Sequence, residues 1–116
     1  MKTETLFIQG LNKEVTFWIG TSKQDNDKMI DHASPNDIWF HAKNISSCHV
    51  ICKLPLGVDK KEMKYIIKMG AILCKKNTNK LKSGKNIEFV YTAVQHITKT
   101  DILGCVNITN EKSITI

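Results

Sequence analysis

The stretch Asn36-Asp37-Ile38-Trp39-Phe40-His41-Ala42-Lys43, followed after a short gap by Ser47-Cys48-His49-Val50, decides the fold. Its polar and aromatic side chains alternate with apolar ones, and successive side chains of a β-strand point to opposite faces of a sheet. An acid, an indole and an imidazole at positions 37, 39 and 41 therefore share one face. A strand that only builds a core does not need these three groups together, so they are the first candidates for a function.

The two halves of this stretch predict a β-hairpin with a turn at residues 43–47. In that register one face carries three pairs: His41 with His49, Trp39 with Ile51, and Asp37 with Lys53. The other face is wholly apolar, because Ala42 faces Cys48, Phe40 faces Val50 and Ile38 faces Cys52. A slip by one residue would destroy both the acid–base pair and the apolar face, so the pattern favours this register.

Periodicity on either side of the hairpin predicts a single α+β domain spanning residues 1–116. Residues 6–8 and 15–19 read as a hairpin, 20–27 as a loop, and 28–34 as a short helix that Pro35 ends. Asp59 and Glu62 form a capping-box pattern that begins a long helix. Its apolar stripe includes Gly70, which indicates close approach of another element. Strands are predicted at 87–92, 94–99, 103–109 and 113–116, with Asn110-Glu111 as a hairpin turn, so the sheet is mostly antiparallel.

The net charge of +6 comes from one third of the chain. Residues 53–85 contain only Asp59 and Glu62 as acids, against ten lysines: Lys53, Lys60, Lys61, Lys64, Lys68, Lys75, Lys76, Lys80, Lys82 and Lys85. Lys61, Lys64, Lys68 and Lys75 form a stripe on the long helix, opposite its apolar stripe. A basic surface of this kind favours a polyanion. The chain has no arginine, so we expect phosphate contacts rather than reading of base edges.

A membrane is a weaker expectation than a nucleic acid. No apolar run approaches the ~20 residues that span a bilayer, and the helix offers no exposed Trp or Phe for insertion. The N-terminus lacks the apolar region of a signal peptide, so we expect a cytoplasmic protein with reduced thiols.

The histidine pair admits more than one chemistry. His41 and His49 could hold a metal ion, or act as an acid–base pair oriented by Asp37, but no third metal ligand is fixed by spacing. Alternatively they hydrogen-bond locally beside Trp39, which, if exposed, would stack on an unpaired base. We expect the lysine stripe of the long helix to lie close enough to these rings to share one polyanionic ligand with them. Cys48 and Cys52 lie on one strand face with apolar neighbours, and like Cys74 they are best explained as buried thiols. We therefore predict no catalytic residue, metal or cofactor.

The sequence also resembles a known family, the NFACT-R domain, which is an RNA-binding module. Residues 37–43 and 47–50 resemble its D-[IL]-W-[FL]-H-x-K and [GS]-x-H-V signature. Gly20 with Asn26-Asp27 is similar to its glycine and N-D pair. Downstream, residues 90–92, 97–99 and 104–106 follow its remaining motifs in order, and the chain looks like a minimal standalone member.

The resemblance implies a non-catalytic module for tRNA or ribosomal RNA in translation or ribosome quality control. It also implies the ribosome or a single-stranded nucleic acid as a further partner. Expected contacts are Trp39, His41, Lys43, His49, Lys53, Lys61, Lys64, Lys68, Lys75, Lys76 and Lys99, with Asp37 and Asn26 orienting the motif. Two alternatives stay open: a hydrolytic or nucleic-acid-modifying enzyme that uses Asp37, His41 and His49, and a protein-interaction module that docks on a ribosomal partner.

Overall fold

The computed structural model describes all residues from 1 to 116, and it contains eight strands and two α-helices. In chain order they are β1 (Lys2–Ile8), β2 (Lys13–Gly20), α1 (Lys23–His32), β3 (Ile38–Ala42), β4 (His49–Lys53), α2 (Lys60–Lys76), β5 (Glu88–Ala93), β6 (Ile97–Lys99), β7 (Val106–Ile108) and β8 (Lys112–Thr115). Short 3₁₀ turns lie at Asn79–Leu81 and Val94–His96. The α+β class with one long and one short helix is confirmed.

Six strands form one antiparallel sheet, in the order β1-β2-β4-β3-β5-β8, and β6 and β7 form a separate two-stranded ribbon. Strands β3 and β4 therefore lie at the centre of the main sheet. They pair in the predicted register, with Ile38 opposite Cys52, Trp39 opposite Ile51 and Phe40 opposite Val50. The alternating pattern and the short turn were enough to determine this pairing.

Helix α2 covers the apolar face of the sheet. Asp59 caps it through the predicted capping box, since Glu62 N–H donates to Asp59 Oδ1 at 2.8 Å and Asp59 N–H donates to Glu62 Oε1 at 3.1 Å. Gly70 lies directly on Phe40, where a Cβ atom would come within 2.2 Å of the ring. The predicted close approach is therefore confirmed, and this contact seats the helix on β3 and β4.

The opposite face of the sheet is covered as well. Met29 of α1, together with Trp39, Ile51 and Val94, forms a second buried cluster, and apolar residues of β6 and β7 pack against it. The sheet is thus the middle layer of three, and the motif residues lie under the ribbon and α1. The sequence did not predict this covering layer.

Three local predictions were wrong. Helix α1 begins at Lys23, within the expected loop, because the Ser22 hydroxyl caps it by accepting from Asp25 N–H at 3.1 Å. Asn110-Glu111 does not close a hairpin, because β7 pairs with β6 while β8 pairs with β5. The strand expected at 94–99 is a 3₁₀ turn followed by the three residues of β6. Neither helix has the length and apolar character needed to cross a membrane.

Candidate nucleic-acid interface

The hairpin brings Trp39, His41 and His49 together, as the sequence predicts. Trp39 Nε1–H donates to His49 Nδ1 at 3.1 Å. The rings of Trp39 and His41 are parallel, with centroids 5.6 Å apart, and the ring of His49 stands nearly perpendicular to His41 at 4.9 Å. The three side chains therefore form one connected cluster, which we call the motif cluster.

Trp39 is buried in the structure, so it is not an exposed platform on which a base could stack. Only 3% of Trp39 and 5% of His49 is exposed, and His41 alone is partly open to solvent. The indole has a large apolar surface whose burial stabilises the fold, and its N–H finds a partner in His49. Trp39 therefore supports the histidines from within and does not offer a free face to a base.

Both histidines are neutral at pH 7. Burial, with a smaller contribution from the charge of His41, lowers the pKa of His49 to about 3. Burial also lowers the pKa of His41, Lys80 lowers it further, and the bond to the Ala42 carbonyl opposes the shift. His49 accepts at Nδ1, so its proton is on Nε2, whereas His41 Nδ1–H donates to Ala42 O at 2.7 Å, which leaves its Nε2 as an acceptor.

The buried neutral His49 predicts loss of stability in acid. Between the usual pKa of 6.5 and the folded-state value of about 3, the unfolded chain binds a proton that the folded chain does not. The free energy of unfolding should therefore fall as pH decreases through this window, by up to about 1.4 kcal/mol per pH unit from this residue. Urea unfolding from pH 7 to pH 4 should show a shallower fall for His49→Gln than for the wild type. Equal pH slopes would contradict the assignment.

Asp37 is held by groups other than the histidines. Its carboxylate accepts from Leu54 N–H at 3.0 Å and Ser34 N–H at 2.8 Å, and it forms a salt bridge with Lys53. Of the two predicted roles, pairing with Lys53 is confirmed and orienting a histidine is wrong. The enzyme alternative therefore lacks the carboxylate that was expected to orient its base.

Asn26 lies close to the motif cluster without a hydrogen bond to it. Its side chain is 8% exposed and packs on Gly20, where a Cβ atom would meet Oδ1 at 2.4 Å. Gly20 pairs with His49 across β2 and β4, so Asn26 sits beside that histidine's strand. The glycine and the asparagine are thus fitted to one another, while an orienting role for Asn26 stays a prediction.

The buried cysteines match their predicted role as apolar core residues. Cys48, Cys52 and Cys74 are buried free thiols, and Cys105 is exposed. The Sγ atoms of Cys48 and Cys74 lie 3.8 Å apart, where β4 meets the end of α2. No three His, Cys, Asp or Glu side chains cluster in a way that could hold a metal ion.

A cleft of about 720 Å³ opens beside the motif cluster. Trp39, His41 and His49 line it from the main sheet, residues 43–46 form one rim, and residues 104–106 and 111–113 form the others. Lys43 and Lys112 are exposed at this rim. Because Lys112 is far from the motif in sequence and its strand follows an irregular loop, no local pattern could have placed it there.

The predicted lysine stripe is exposed on α2, on the outer side of the helix. Lys61, Lys64 and Lys68 are exposed and Lys75 is partly exposed, and we call these four residues the lysine face. Lys75 and Lys76 also meet Lys2 and Lys82 around a shallow depression containing Ile72, which sequence analysis missed because β1 and α2 are distant in the chain. Of the ten lysines in residues 53–85, only Lys53 pairs with an acid.

The lysine face and the motif cluster lie on opposite sides of the main sheet. Helix α2 packs on the face that carries Phe40, whereas the histidines are on the other face. The expectation from the sequence that the lysine face and the motif cluster share one surface is therefore wrong. Lys80, which follows α2 in the chain, lies near enough to His41 to lower the pKa of that histidine.

Three other lysines that were predicted to contact nucleic acid already pair with acidic side chains. Lys53 bonds to Asp37 and also lies 4.5 Å from the Trp18 ring centroid. Lys99 bonds to Asp27 at 3.0 Å and Asp31 at 2.6 Å. Lys43 is 3.4 Å from Glu88 on the exposed rim, where such a pair is weak. The ammonium groups of Lys53 and Lys99 are therefore less available to bind a phosphate than those of Lys43 or the lysine face.

Known proteins with similar sequences match most of this chain. It is 32% identical over 87 residues to coiled-coil domain-containing protein 25 of Danio rerio, and 33% identical over 86 residues to the Mus musculus protein of that name. The matched region covers 73% of this chain in both comparisons, and 42% and 41% of those relatives. The Dictyostelium discoideum homologue is 27% identical over 96 residues, which cover 82% of this chain and 47% of its own length.

A solved structure has the same fold. It is the C-terminal part of the fibronectin/fibrinogen-binding protein from Streptococcus suis, with a TM-score of 0.80 and 19% identity, covering 100% of this chain and 45% of that one. The family described as NFACT protein RNA binding domain matches residues 5–110, which include the motif hairpin, α2 and the β6–β7 ribbon. This chain belongs to the NFACT RNA-binding domain family.

Proposed function

We propose that this domain binds structured RNA, such as tRNA or ribosomal RNA, without catalysing a reaction, in translation or ribosome quality control. The observation that carries the proposal is the set of nine lysines in residues 53–85 that have no acidic partner. Exposed ammonium groups that are not neutralised within the protein are free to displace counterions from phosphates. Membership of an RNA-binding family supports RNA as the polyanion.

The residue type on this surface favours backbone recognition. Lysine is a mobile point charge, whereas the planar fork of arginine is the usual reader of a guanine edge. Structured RNA presents phosphates in a fixed shape, and proteins recognise duplex RNA mainly by that shape and by backbone contacts. Lys61, Lys64, Lys68, Lys75 and Lys76 are the proposed phosphate contacts, and Lys2 and Lys82 extend the same surface.

The geometry of the motif supports a non-catalytic role. A general base needs a positioned partner and a pKa near the working pH. Here the carboxylate of Asp37 is committed to Lys53 and two backbone N–H groups, and the pKa of His49 is lowered to about 3 by burial. The cluster is therefore better suited to fixing the shape of the domain and of its cleft than to proton transfer.

Binding to a panel of nucleic acids tests the proposal. The purified domain should be titrated with tRNA, a folded ribosomal RNA fragment, single-stranded RNA and duplex DNA at about 50 and 200 mM salt. We expect the folded RNAs to bind most tightly, and affinity to fall steeply with salt because each neutralised phosphate contributes about 0.7 to 0.9 to the log–log slope. No RNA binding at the lower salt, or binding that does not depend on salt, would contradict the proposal.

A further inference from the structure

The cleft beside the motif cluster has the size and lining of a small-ligand site. Its volume of about 720 Å³ falls within the ~300–1,000 Å³ of typical ligand pockets. Val90, Val106 and Ile108 give it partly exposed apolar walls, while His41 and His49 supply polar atoms. Apolar walls with a few fixed polar groups suit a heterocycle.

The two histidines present one hydrogen-bond donor and one acceptor to this cleft. The bonds to Trp39 and to the Ala42 carbonyl fix the tautomers, so His49 Nε2 carries a proton and His41 Nε2 does not. Neither Nε2 atom has a partner within the chain. Because both rings are uncharged at neutral pH, the pair is suited to the edge of a neutral base, which also combines donors and acceptors, rather than to a phosphate.

Positive charge is available at the rim of the cleft. Lys112 forms no ion pair, and Lys43 forms only the exposed pair with Glu88 at 3.4 Å. Glu111 also borders the cleft, so the rim is mixed in charge rather than uniformly basic. Two lysines around a pocket with a neutral interior match a nucleotide, in which a charged phosphate is attached to an uncharged base.

We propose that this cleft holds a single unstacked nucleobase between its apolar walls and the two histidines, with the adjoining phosphate against Lys43 and Lys112. The proposal rests on the proposed function, because an unpaired nucleotide of a bound RNA is one source of such a base. A free mononucleotide has the same chemistry and is the other source. The lysine face would then bind the RNA backbone on the opposite side of the sheet.

Introducing a bulky side chain at the rim of the cleft tests this site separately from the lysine face. Ser46 is an exposed turn residue that borders the cleft, so Ser46→Trp should obstruct it without disturbing the core. Ser34→Trp is the matched control, since Ser34 is exposed and lies outside the cleft. Ser46→Trp should weaken binding of a short single-stranded RNA about tenfold, in keeping with the loss of one base contact. It should change binding of an RNA duplex less than twofold, and Ser34→Trp should change neither.

NMR signals of the motif cluster supply the direct readout. In the wild type, the imidazole signals of His41 and His49 and the indole N–H signal of Trp39 should shift with single-stranded RNA or with AMP, CMP, GMP or UMP, but not with duplex RNA. Shifts with mononucleotides alone would support the base site and identify the free nucleotide as its source. The indole N–H signal also shows whether each variant keeps the folded cluster.

The outcomes distinguish the base site from the proposed function. If RNA binds with a steep salt dependence, yet no probe moves these signals and Ser46→Trp binds single-stranded RNA like the wild type, the base site is overturned and the RNA-binding function stands. If no RNA binds but mononucleotides move the signals, the proposed function is overturned and the base site is supported.

Discussion

Replacing Lys64 and Lys68 with alanine should flatten the salt dependence of RNA binding by about 1.4 to 1.8 units of log K per log salt. This is the loss expected when two phosphate contacts of about 0.7 to 0.9 each are removed. Both lysines are exposed on one side of α2, four residues apart, and neither pairs with an acid. Alanine is the strongest helix former, so α2 itself should not be weakened. Fluorescence anisotropy at several salt concentrations measures the slope.

A second double variant with the same loss of charge is the control. Lys13 lies at the start of β2 and Lys28 on α1, outside the lysine face, and neither is in an ion pair. Lys13→Ala with Lys28→Ala should leave the slope within about 0.5 of the wild type, because only bound phosphates release counterions. Equal flattening by the two double variants would mean that overall charge, rather than the lysine face, determines binding.

Asp37→Ala should lower the free energy of unfolding by about 3–5 kcal/mol, as expected when one partner of a buried ion pair is removed. Asp37 is 3% exposed, and its loss would leave Lys53 and the N–H groups of Ser34 and Leu54 without their acceptor. Urea unfolding at pH 7 measures the change. Asp101→Ala is the control, because Asp101 is exposed and unpaired, and we expect it to alter stability by less than about 0.5 kcal/mol.

The Asp37→Ala variant also tests whether Asp37 has a structural or a catalytic role. If Asp37 is structural, the folded fraction of Asp37→Ala should bind RNA with nearly the affinity of the wild type at a temperature well below its unfolding transition. A protein that keeps full stability but loses an activity on nucleic acid would contradict our assignment and revive the enzyme alternative.

The sequence predicted those parts of the fold that depend on neighbouring residues. The β3–β4 register followed from the alternation of side chains in residues 37–53, and the start of α2 followed from the Asp59–Glu62 capping box. The role of Gly70 could be inferred because glycine lowers the stability of a helix. Its place in an apolar stripe therefore indicates that another element packs closely there. Each of these features lies within one element or one hairpin.

The errors concern contacts between distant parts of the chain. Trp39 and His49 were named as nucleic-acid contacts with their exposure left open, because nothing in their strands indicated whether β6, β7 and α1 would cover them. Short strands such as β6 and β7, with three residues each, carry too little periodicity for their partners to be identified. The helix cap at Ser22 was a local signal that sequence analysis overlooked, since Asp25 follows it three residues later.

An NMR titration with a short RNA hairpin tests the central claim most directly, because it shows where the RNA lies on the domain. The backbone amide signals of residues 60–85 should shift progressively as RNA is added, and the shifts should reverse on raising the salt. Amides of α1, which packs on the opposite face of the main sheet, should move little. Shifts confined to other parts of the domain, with residues 60–85 unaffected at saturation, would contradict RNA binding through the lysine face.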